Sequence, residues 1–145
     1  MALPRLRALD FAKVWTGERG DIRMSPEVAR QYREDTENKD ELSVKRKTHL
    51  ERYFREFCDN DDYGRRLNDE KFKKEGNFRD GRGSQVAIYA FKAWKWRMYG
   101  ALMTVAQRRC FVGVTVDPEK KRNKADRAKL ESAAKAIAEL AEYRS

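Results

Sequence analysis

Three stretches decide the fold of this chain: QVAIYAF at residues 85–91, WKWRMYGALMTV at residues 94–105 and RRCFVGVTV at residues 108–116. Each stretch is rich in β-branched and aromatic residues, which is typical of strands. Two residues separate each stretch from the next, whereas a parallel crossover needs a dozen or more. The sequence therefore predicts an antiparallel sheet of consecutive hairpins.

A helical hairpin is predicted before this sheet. Ser25 and Pro26 supply an N-cap and a first helical residue, and a weakly amphipathic helix follows to about Asn38. A second helix is predicted from Val44 to Cys58, because its apolar residues recur at helical spacing. These residues are Leu50, Tyr53, Phe54 and Phe57.

The remaining segments complete the predicted fold. The polar stretch 65–84 predicts a loop with little structure of its own. After the basic stretch EKKRNKADR at residues 119–127, small and apolar residues predict a helix to about Tyr143. The expected class is α+β, with an antiparallel sheet of three to four strands packed against an N-terminal helical hairpin and a C-terminal helix. Residues 1–145 are expected to form one domain, in which residues 1–24 are a first strand or an irregular arm.

The composition limits the classes of function. The chain has 145 residues and a net charge of +9, and such an excess attracts polyanions, so nucleic acid is the expected partner. No apolar stretch reaches the roughly 20 residues of a membrane span, and the first residues do not resemble a secretory signal. The sequence therefore predicts a cytoplasmic protein without a membrane partner. Cys58 and Cys110 lack a second Cys or His at zinc spacing and are predicted to be buried packing residues.

Strict alternation divides residues 94–99 between the two faces of the predicted sheet. One face is apolar, and the other is cationic with an aromatic hydroxyl. The apolar residues are Trp94, Trp96 and Met98, and the residues of the cationic face are Lys95, Arg97 and Tyr99. The cationic face is either the solvated side of a half-buried sheet or a surface that binds an anionic substrate.

The last predicted strand has one face that is expected to lie in the core and a glycine on its opposite face. The core residues are predicted to be Cys110, Val112, Val114 and Val116. Gly113 lies on the opposite face, where a glycine in mid-strand indicates either the close approach of a backbone or ligand, or a β-bulge.

Basic residues form three groups around the predicted sheet, at its first hairpin, at its second hairpin and after its last strand. They are expected to hold a phosphate backbone if the fold gathers them into one basic concavity. The predicted nucleic-acid-binding residues are Lys92, Lys95, Arg97, Arg108, Arg109, Lys120, Lys121, Arg122 and Lys124.

Metal-free cleavage of RNA is the chemistry that such a surface can support. The ribose 2′-hydroxyl must lose a proton, the charge of the phosphorane must be neutralised, and the leaving 5′-oxygen must gain a proton. Arginine and lysine neutralise the phosphorane, and crowded cations lower one another's affinity for protons. The candidates for proton transfer are Tyr99, Lys95, Lys121 and Asp117.

Other catalytic centres have little support in the sequence. No carboxylate cluster or phosphate-binding loop is recognised, so no metal or other cofactor is expected. His49, the only histidine, is interpreted as a surface residue of the second helix.

The segment FVGVTVDPEKKRNKADRAKLESAAK, residues 111–135, runs from an apolar strand through paired lysines into a helix. Together with the order of the predicted elements, it resembles the end of HigB and related phage-derived members of the RelE/ParE superfamily. The resemblance implies the toxin of a type II toxin-antitoxin system, a metal-independent mRNA endoribonuclease that acts at the ribosome. It also implies a partner antitoxin that covers the basic face.

The same resemblance implies roles for individual residues. Lys92, Lys95 and Arg97 would grip the message, Tyr99 would lie beside it, and Lys120 and Lys121 would complete the site. The catalytic residues would be Arg97, Tyr99, Lys95 and Lys121. A rival function is a non-catalytic module of phage or chromosomal origin that holds nucleic acid or an acidic protein on the same basic face.

Overall fold

A computed structural model describes residues 6–60, 62, 67–119 and 126–143. Within these ranges a short 3-10 turn (Ala8–Asp10) precedes six strands and three helices. They are β1 (Ala12–Thr16), β2 (Gly20–Met24), α1 (Pro26–Thr36), α2 (Glu41–Asp59), β3 (Phe72–Arg79), β4 (Gln85–Ala93), β5 (Trp96–Val105), β6 (Arg108–Asp117) and α3 (Arg127–Ala138). The predicted α+β class is confirmed.

The strands form one mixed sheet in the order β1-β2-β6-β5-β4-β3. Neighbouring strands are antiparallel except β2 and β6, which are parallel. The two predicted hairpins are present, with turns at residues 94–95 and 106–107. Ala106 and Gln107 have φ angles of 52° and 65°, as in the type I′ turns that match the twist of paired strands.

The sheet has more strands than the three to four that the sequence predicts. The stretch 65–84, predicted to be a loop, contains β3, an edge strand whose Lys73 and Lys74 are exposed. Exposed lysines are typical of edge strands, where they prevent pairing with other chains. A bulge between Lys74 and Gly76 also interrupts the alternation of β3. The strand therefore shows no continuous hydrophobic period in the sequence.

Side-chain caps set the beginnings of all three helices. The Ser25 hydroxyl accepts a hydrogen bond from the Val28 amide at 3.3 Å. The Asp40 carboxylate accepts one from the Ser43 amide at 3.1 Å, so α2 begins earlier than the predicted Val44. Asp126 caps α3, which ends at Ala138, short of the predicted Tyr143.

The sheet is buried on both faces. Helices α1 and α2 pack on one face over an aromatic core, in which the Phe91 ring lies 5.1 Å from Phe54 and 4.8 Å from Phe111. Helix α3 packs on the other face, where alanines such as Ala133 and Ala134 let it lie close to the strands. No helix in the described ranges is both long enough and apolar enough to span a bilayer.

A bulge in β6 changes the face on which its last residues lie. Tyr99 pairs with Thr115 whereas Gly100 pairs with Gly113, which leaves Val114 as the extra residue. Cys110, Val112 and Val114 lie on the α3 side as predicted, but Val116 packs against the core of the opposite face. The prediction for Val116 is therefore wrong, and the bulge lies directly beside Gly113.

Both cysteines are buried, as predicted. Burial raises the pKa of the Cys58 thiol to about 12 and that of the Cys110 thiol to about 12. Because the thiolate is the reactive form, neither cysteine is suited to nucleophilic chemistry at neutral pH.

Candidate nucleic-acid interface

The predicted cationic face of β5 is covered by α3. The predicted alternation holds from Trp96 onward, with Trp96 and Met98 in the core under α1 and α2 and Tyr99 in the core under α3. Tyr99 is 0% exposed, so the face is not solvated at this residue, whereas Lys95 lies in the turn before β5 and is exposed. The sequence indicates a helix after the sheet but not the face on which it packs.

The charges on this covered face are compensated by one another. Lys92 Nζ lies 3.1 Å from Glu75 Oε1, and the two side chains are each only 11% exposed. Lys129 Nζ on α3 lies 3.2 Å from Asp117 Oδ1. Lys92 and Asp117 therefore belong to internal ion pairs, which does not fit their predicted roles in gripping and cleaving RNA.

The phenol of Tyr99 is buried among these charges. Its hydroxyl has no hydrogen-bond partner in the described structure. Burial raises the pKa of Tyr99 well above its ordinary value, and the negative charges of Asp117 and Glu75 raise it further. A phenol with a raised pKa stays protonated at neutral pH, so the predicted role of Tyr99 as a proton acceptor loses support.

Tyr99→Phe is expected to leave the free energy of unfolding unchanged or to raise it by up to about 1 kcal/mol, because a buried donor without an acceptor is destabilising. Urea denaturation measures the change. Tyr53→Phe is the matched control, since the Tyr53 hydroxyl lies 3.0 Å from His49 Nδ1. The free energy of unfolding of Tyr53→Phe should be lower than that of the native chain by about 0.5–1.5 kcal/mol. A larger loss for Tyr99→Phe than for Tyr53→Phe would contradict the buried, unpartnered hydroxyl.

The arginines of the second hairpin brace the structure. Arg108 Nε lies 3.1 Å from Asp21 Oδ2, and its Nη2 donates to the carbonyl of Gly20 at 3.3 Å. The Arg109 guanidinium lies 4.7 Å from the centre of the Phe57 ring and donates to the Phe57 carbonyl. Both predicted RNA-binding residues are thus held by groups of the chain itself.

These arginines are also far from the other predicted cations. Arg97 pairs with Asp117 at one end of the β5–β6 ladder, and Val105 pairs with Arg108 at the other. At about 3.3 Å per residue the two ends are roughly 26 Å apart. The fold therefore does not bring the basic groups of the two hairpins into one concavity, contrary to the expectation from the sequence. The remaining predicted residues, Lys120, Lys121, Arg122 and Lys124, lie outside the described residues.

The β4–β5 turn presents an exposed aromatic ring and an exposed cation side by side. Trp94 is 51% exposed, and its ring centre lies 4.8 Å from that of His49 on α2. Its φ of 55° lies in the left-handed region, which costs a bulky residue roughly 1–3 kcal/mol and occurs preferentially at functional sites. Lys95 follows it and is exposed. Arg97 stabilises the turn by donating a hydrogen bond to the Trp94 carbonyl.

An open pocket of about 650 Å³ lies beside this turn. We call it the turn pocket, and its lining residues are Asp35, Leu42, Arg46, Trp94, Lys95, Pro118 and Glu119. Asp35 Oδ2 accepts hydrogen bonds from Trp96 Nε1 and Gln31 Nε2, both at 2.9 Å. Arg46 Nη1 donates to the Asp35 carbonyl at 2.7 Å. Asp35 and Arg46 are therefore held in place before any ligand binds.

The sequence does not indicate several residues of this site. The alternation assigns Trp94 to the apolar core face, but β5 begins only at Trp96, and Trp94 belongs to the turn. His49, interpreted as a surface residue, is half-buried against Trp94. The spacing of Leu42, Arg46 and His49 on one side of α2 is the available signal, but it does not show what this side faces.

No protein-family model, curated protein or solved structure matches the chain. Among the described residues, no group of three or more His, Cys, Asp or Glu side chains is arranged to hold a metal ion.

Proposed function

We propose that this chain binds single-stranded RNA at the turn pocket. The observation that carries the proposal is the half-exposed Trp94, held against His49 in a strained turn beside the exposed Lys95. Stacking of a base on an aromatic side chain contributes about 1–3 kcal/mol, and neighbouring cations hold the phosphates. The net charge of +9 favours a polyanionic partner over a neutral one.

A single strand fits this site better than a duplex. Only unpaired bases expose the flat faces that stack on aromatic side chains. The turn also presents one aromatic ring rather than a helix or ribbon that would enter a groove.

Trp94→Ala is expected to weaken binding of a labelled twelve-nucleotide RNA roughly tenfold, because a stacking partner is lost. Lys95→Ala should reduce the slope of log affinity against log salt by about 0.7, the value for one phosphate contact on a single strand. Fluorescence anisotropy at several salt concentrations measures both effects.

Two control variants separate these effects from general loss of charge or structure. Trp94→Phe keeps an aromatic ring at the turn and should retain most of the affinity. Lys135→Ala removes an exposed cation from α3, in the opposite layer, and should leave the salt dependence unchanged. Equal losses for Lys135→Ala and Lys95→Ala would contradict the assignment of the turn as the binding site.

The second candidate function is cleavage of the bound RNA, as in a toxin of the RelE/HigB type. Two observations favour it. The helical hairpin, the antiparallel strands and the final helix follow the order on which the resemblance rests, although two strands rather than one precede them. Arg97 and His49 also both lie against the turn that carries Trp94. Imidazole is the side chain that most often transfers protons in catalysis, and arginine neutralises a phosphorane. In this proposal the partner antitoxin covers the turn pocket, and messenger RNA on the ribosome is the substrate.

Induced expression in bacteria, with growth scored and mRNA 5′ ends mapped, tests cleavage. The toxin function predicts growth arrest and new 5′ ends with the native chain, and neither with Arg97→Ala or His49→Ala. Normal growth with intact messages, while purified protein still binds RNA, would exclude the toxin function and leave RNA binding alone.

A further inference from the structure

We infer that the turn pocket is a site for a guanine base, an inference that rests on the proposed binding of RNA at the same pocket. Its volume of about 650 Å³ lies in the range of roughly 300–1,000 Å³ found for small-ligand sites. The lining combines apolar walls with two carboxylates and two cations. The apolar walls, the carboxylates and the cations are complementary, respectively, to the flat faces, the hydrogen-bond donors and the hydrogen-bond acceptors of guanine.

The apolar walls fit the flat faces of a base. Trp94 and Leu42 are each 51% exposed, and both line the pocket together with Pro118. Exposed side chains of this size are uncommon among the described residues, where most large apolar groups are buried. A base stacked on Trp94 would cover apolar surface that is otherwise in contact with water, which is favourable.

The carboxylates of Asp35 and Glu119 select for hydrogen-bond donors, because an ionised carboxylate only accepts. The Oδ2 atom of Asp35 accepts hydrogen bonds from Trp96 and Gln31. No described residue donates a hydrogen bond to its Oδ1 atom. Guanine is the one RNA base whose pairing edge offers two adjacent donors, N1–H and the N2 amino group. Adenine and cytosine each place an acceptor beside their amino group, and a carboxylate repels that acceptor.

The cations of the pocket fit the remaining atoms of guanine. Arginine and lysine are the residues that most often donate to guanine O6 and N7. Arg46 Nη1 donates to the Asp35 carbonyl at 2.7 Å. The guanidinium of Arg46 therefore keeps a fixed position beside Asp35. Lys95 is exposed and is placed to contact the phosphate of the same nucleotide.

The experiment compares four labelled RNA hexamers, UUGUUU, UUAUUU, UUCUUU and UUUUUU, by fluorescence anisotropy at one salt concentration. Their charges are equal, so differences in affinity report on the third base. We expect UUGUUU to bind at least about tenfold more tightly than the other three, the discrimination given by a good pair of hydrogen bonds to a base.

Two variants assign this preference to the carboxylates. Asp35→Asn and Glu119→Gln keep the shape of each side chain but replace an acceptor oxygen with an amino group. Each should reduce the preference for UUGUUU to less than about threefold. Glu70→Gln is the matched control, because Glu70 is exposed in the turn before β3 and outside the pocket, and it should keep the tenfold preference. Circular dichroism checks that Asp35→Asn is folded. Glu119 is exposed, so Glu119→Gln should disturb the fold less than Asp35→Asn.

The outcomes separate the guanine site from the proposed function. Equal, salt-dependent binding of all four hexamers would overturn the guanine site and retain RNA binding. A guanine preference that both variants preserve would overturn the role of the carboxylates. Absence of binding to any hexamer would overturn both proposals in favour of a different occupant of the pocket, such as a peptide.

Discussion

Gly100→Ala is expected to lower the free energy of unfolding by more than about 3 kcal/mol, because the added methyl group has no space in the centre of the sheet. A Cβ at this position would lie 2.7 Å from the carbonyl carbon of Val112 and 2.9 Å from Cζ of Phe111. The Val112 contact is with backbone, which cannot rotate away as a side chain can. Relief of the clash would require β5 and β6 to separate beside the bulge at Val114. Urea denaturation followed by circular dichroism measures the loss.

Gly83→Ala is the matched control for this variant. Gly83 has a positive φ of 89°, but no heavy atom lies within 4 Å of the position that a Cβ would occupy. The cost should therefore be limited to the backbone conformation, about 1–2 kcal/mol. Equal stabilities of the two variants would show that β5 and β6 are not packed as closely as the pairing of Gly100 with Gly113 requires.

Arg108→Ala is expected to lower the free energy of unfolding by about 2–3 kcal/mol, because it leaves the Asp21 carboxylate buried without its cation. Burial by itself would raise the pKa of Asp21, but hydrogen bonds from the Thr16 hydroxyl and from Arg108 lower it below the ordinary value of 3.8. The Arg108 side chain is 36% exposed, so the loss should be smaller than for a fully buried pair. Thermal and urea denaturation at pH 7 measure it.

The dependence of this effect on pH identifies its cause. A carboxyl group with a lowered pKa stabilises the fold above its unfolded pKa, and this contribution disappears as the pH falls through the folded value. The difference between the native chain and Arg108→Ala should therefore shrink as the pH falls below 3.8, the ordinary pKa of Asp21. Arg127→Ala is the control, since Arg127 is 80% exposed and should change stability by less than about 0.5 kcal/mol. A pH-independent loss for Arg108→Ala would contradict the assigned role of Asp21.

The same variant separates structural cations from those that bind a ligand. Arg108 lies at the end of β6 away from the turn pocket. Arg108→Ala should therefore leave RNA affinity unchanged at temperatures where the variant is folded. Loss of affinity in the folded variant would restore the hairpin arginines to the binding surface.

Elements defined by their own residues can be predicted from the sequence. The hairpins of β4, β5 and β6 follow from continuous apolar runs joined by two residues, and α1 follows from its Ser25 cap. Strand β2 is missed because Asp21 and Arg23 interrupt its apolar pattern. Both are buried and contact groups outside the strand, Asp21 through its ion pair with Arg108 and Arg23 through a bond from Nη1 to the Leu9 carbonyl at 2.9 Å. A local sequence pattern gives no information about partners that lie elsewhere in the chain.

The candidate site is predictable only in part for the same reason. The correct alternation of Trp96 and Tyr99 gives no information on which helix covers each face. Whether Trp94 is buried or exposed depends on a shift of two residues in the start of β5. The structure also joins Asp35 and Arg46 from the helical hairpin to Glu119 after the last strand, and no spacing in the sequence relates these three residues.

The single parallel pair of the sheet affects how the chain is made. Residues 20–24 of β2 pair with residues 109–113 of β6, so an early part of the chain depends on one that leaves the ribosome late. At a synthesis rate of about 5–20 residues per second, β2 waits on the order of 5–20 s for its inner neighbour. During that time β1 and β2 are a two-stranded hairpin that can pack only against α1 and α2, and the edge of β2 that will face β6 is unpaired. The unpaired edge of β2 is therefore a site at which the nascent chain is open to pairing with other chains.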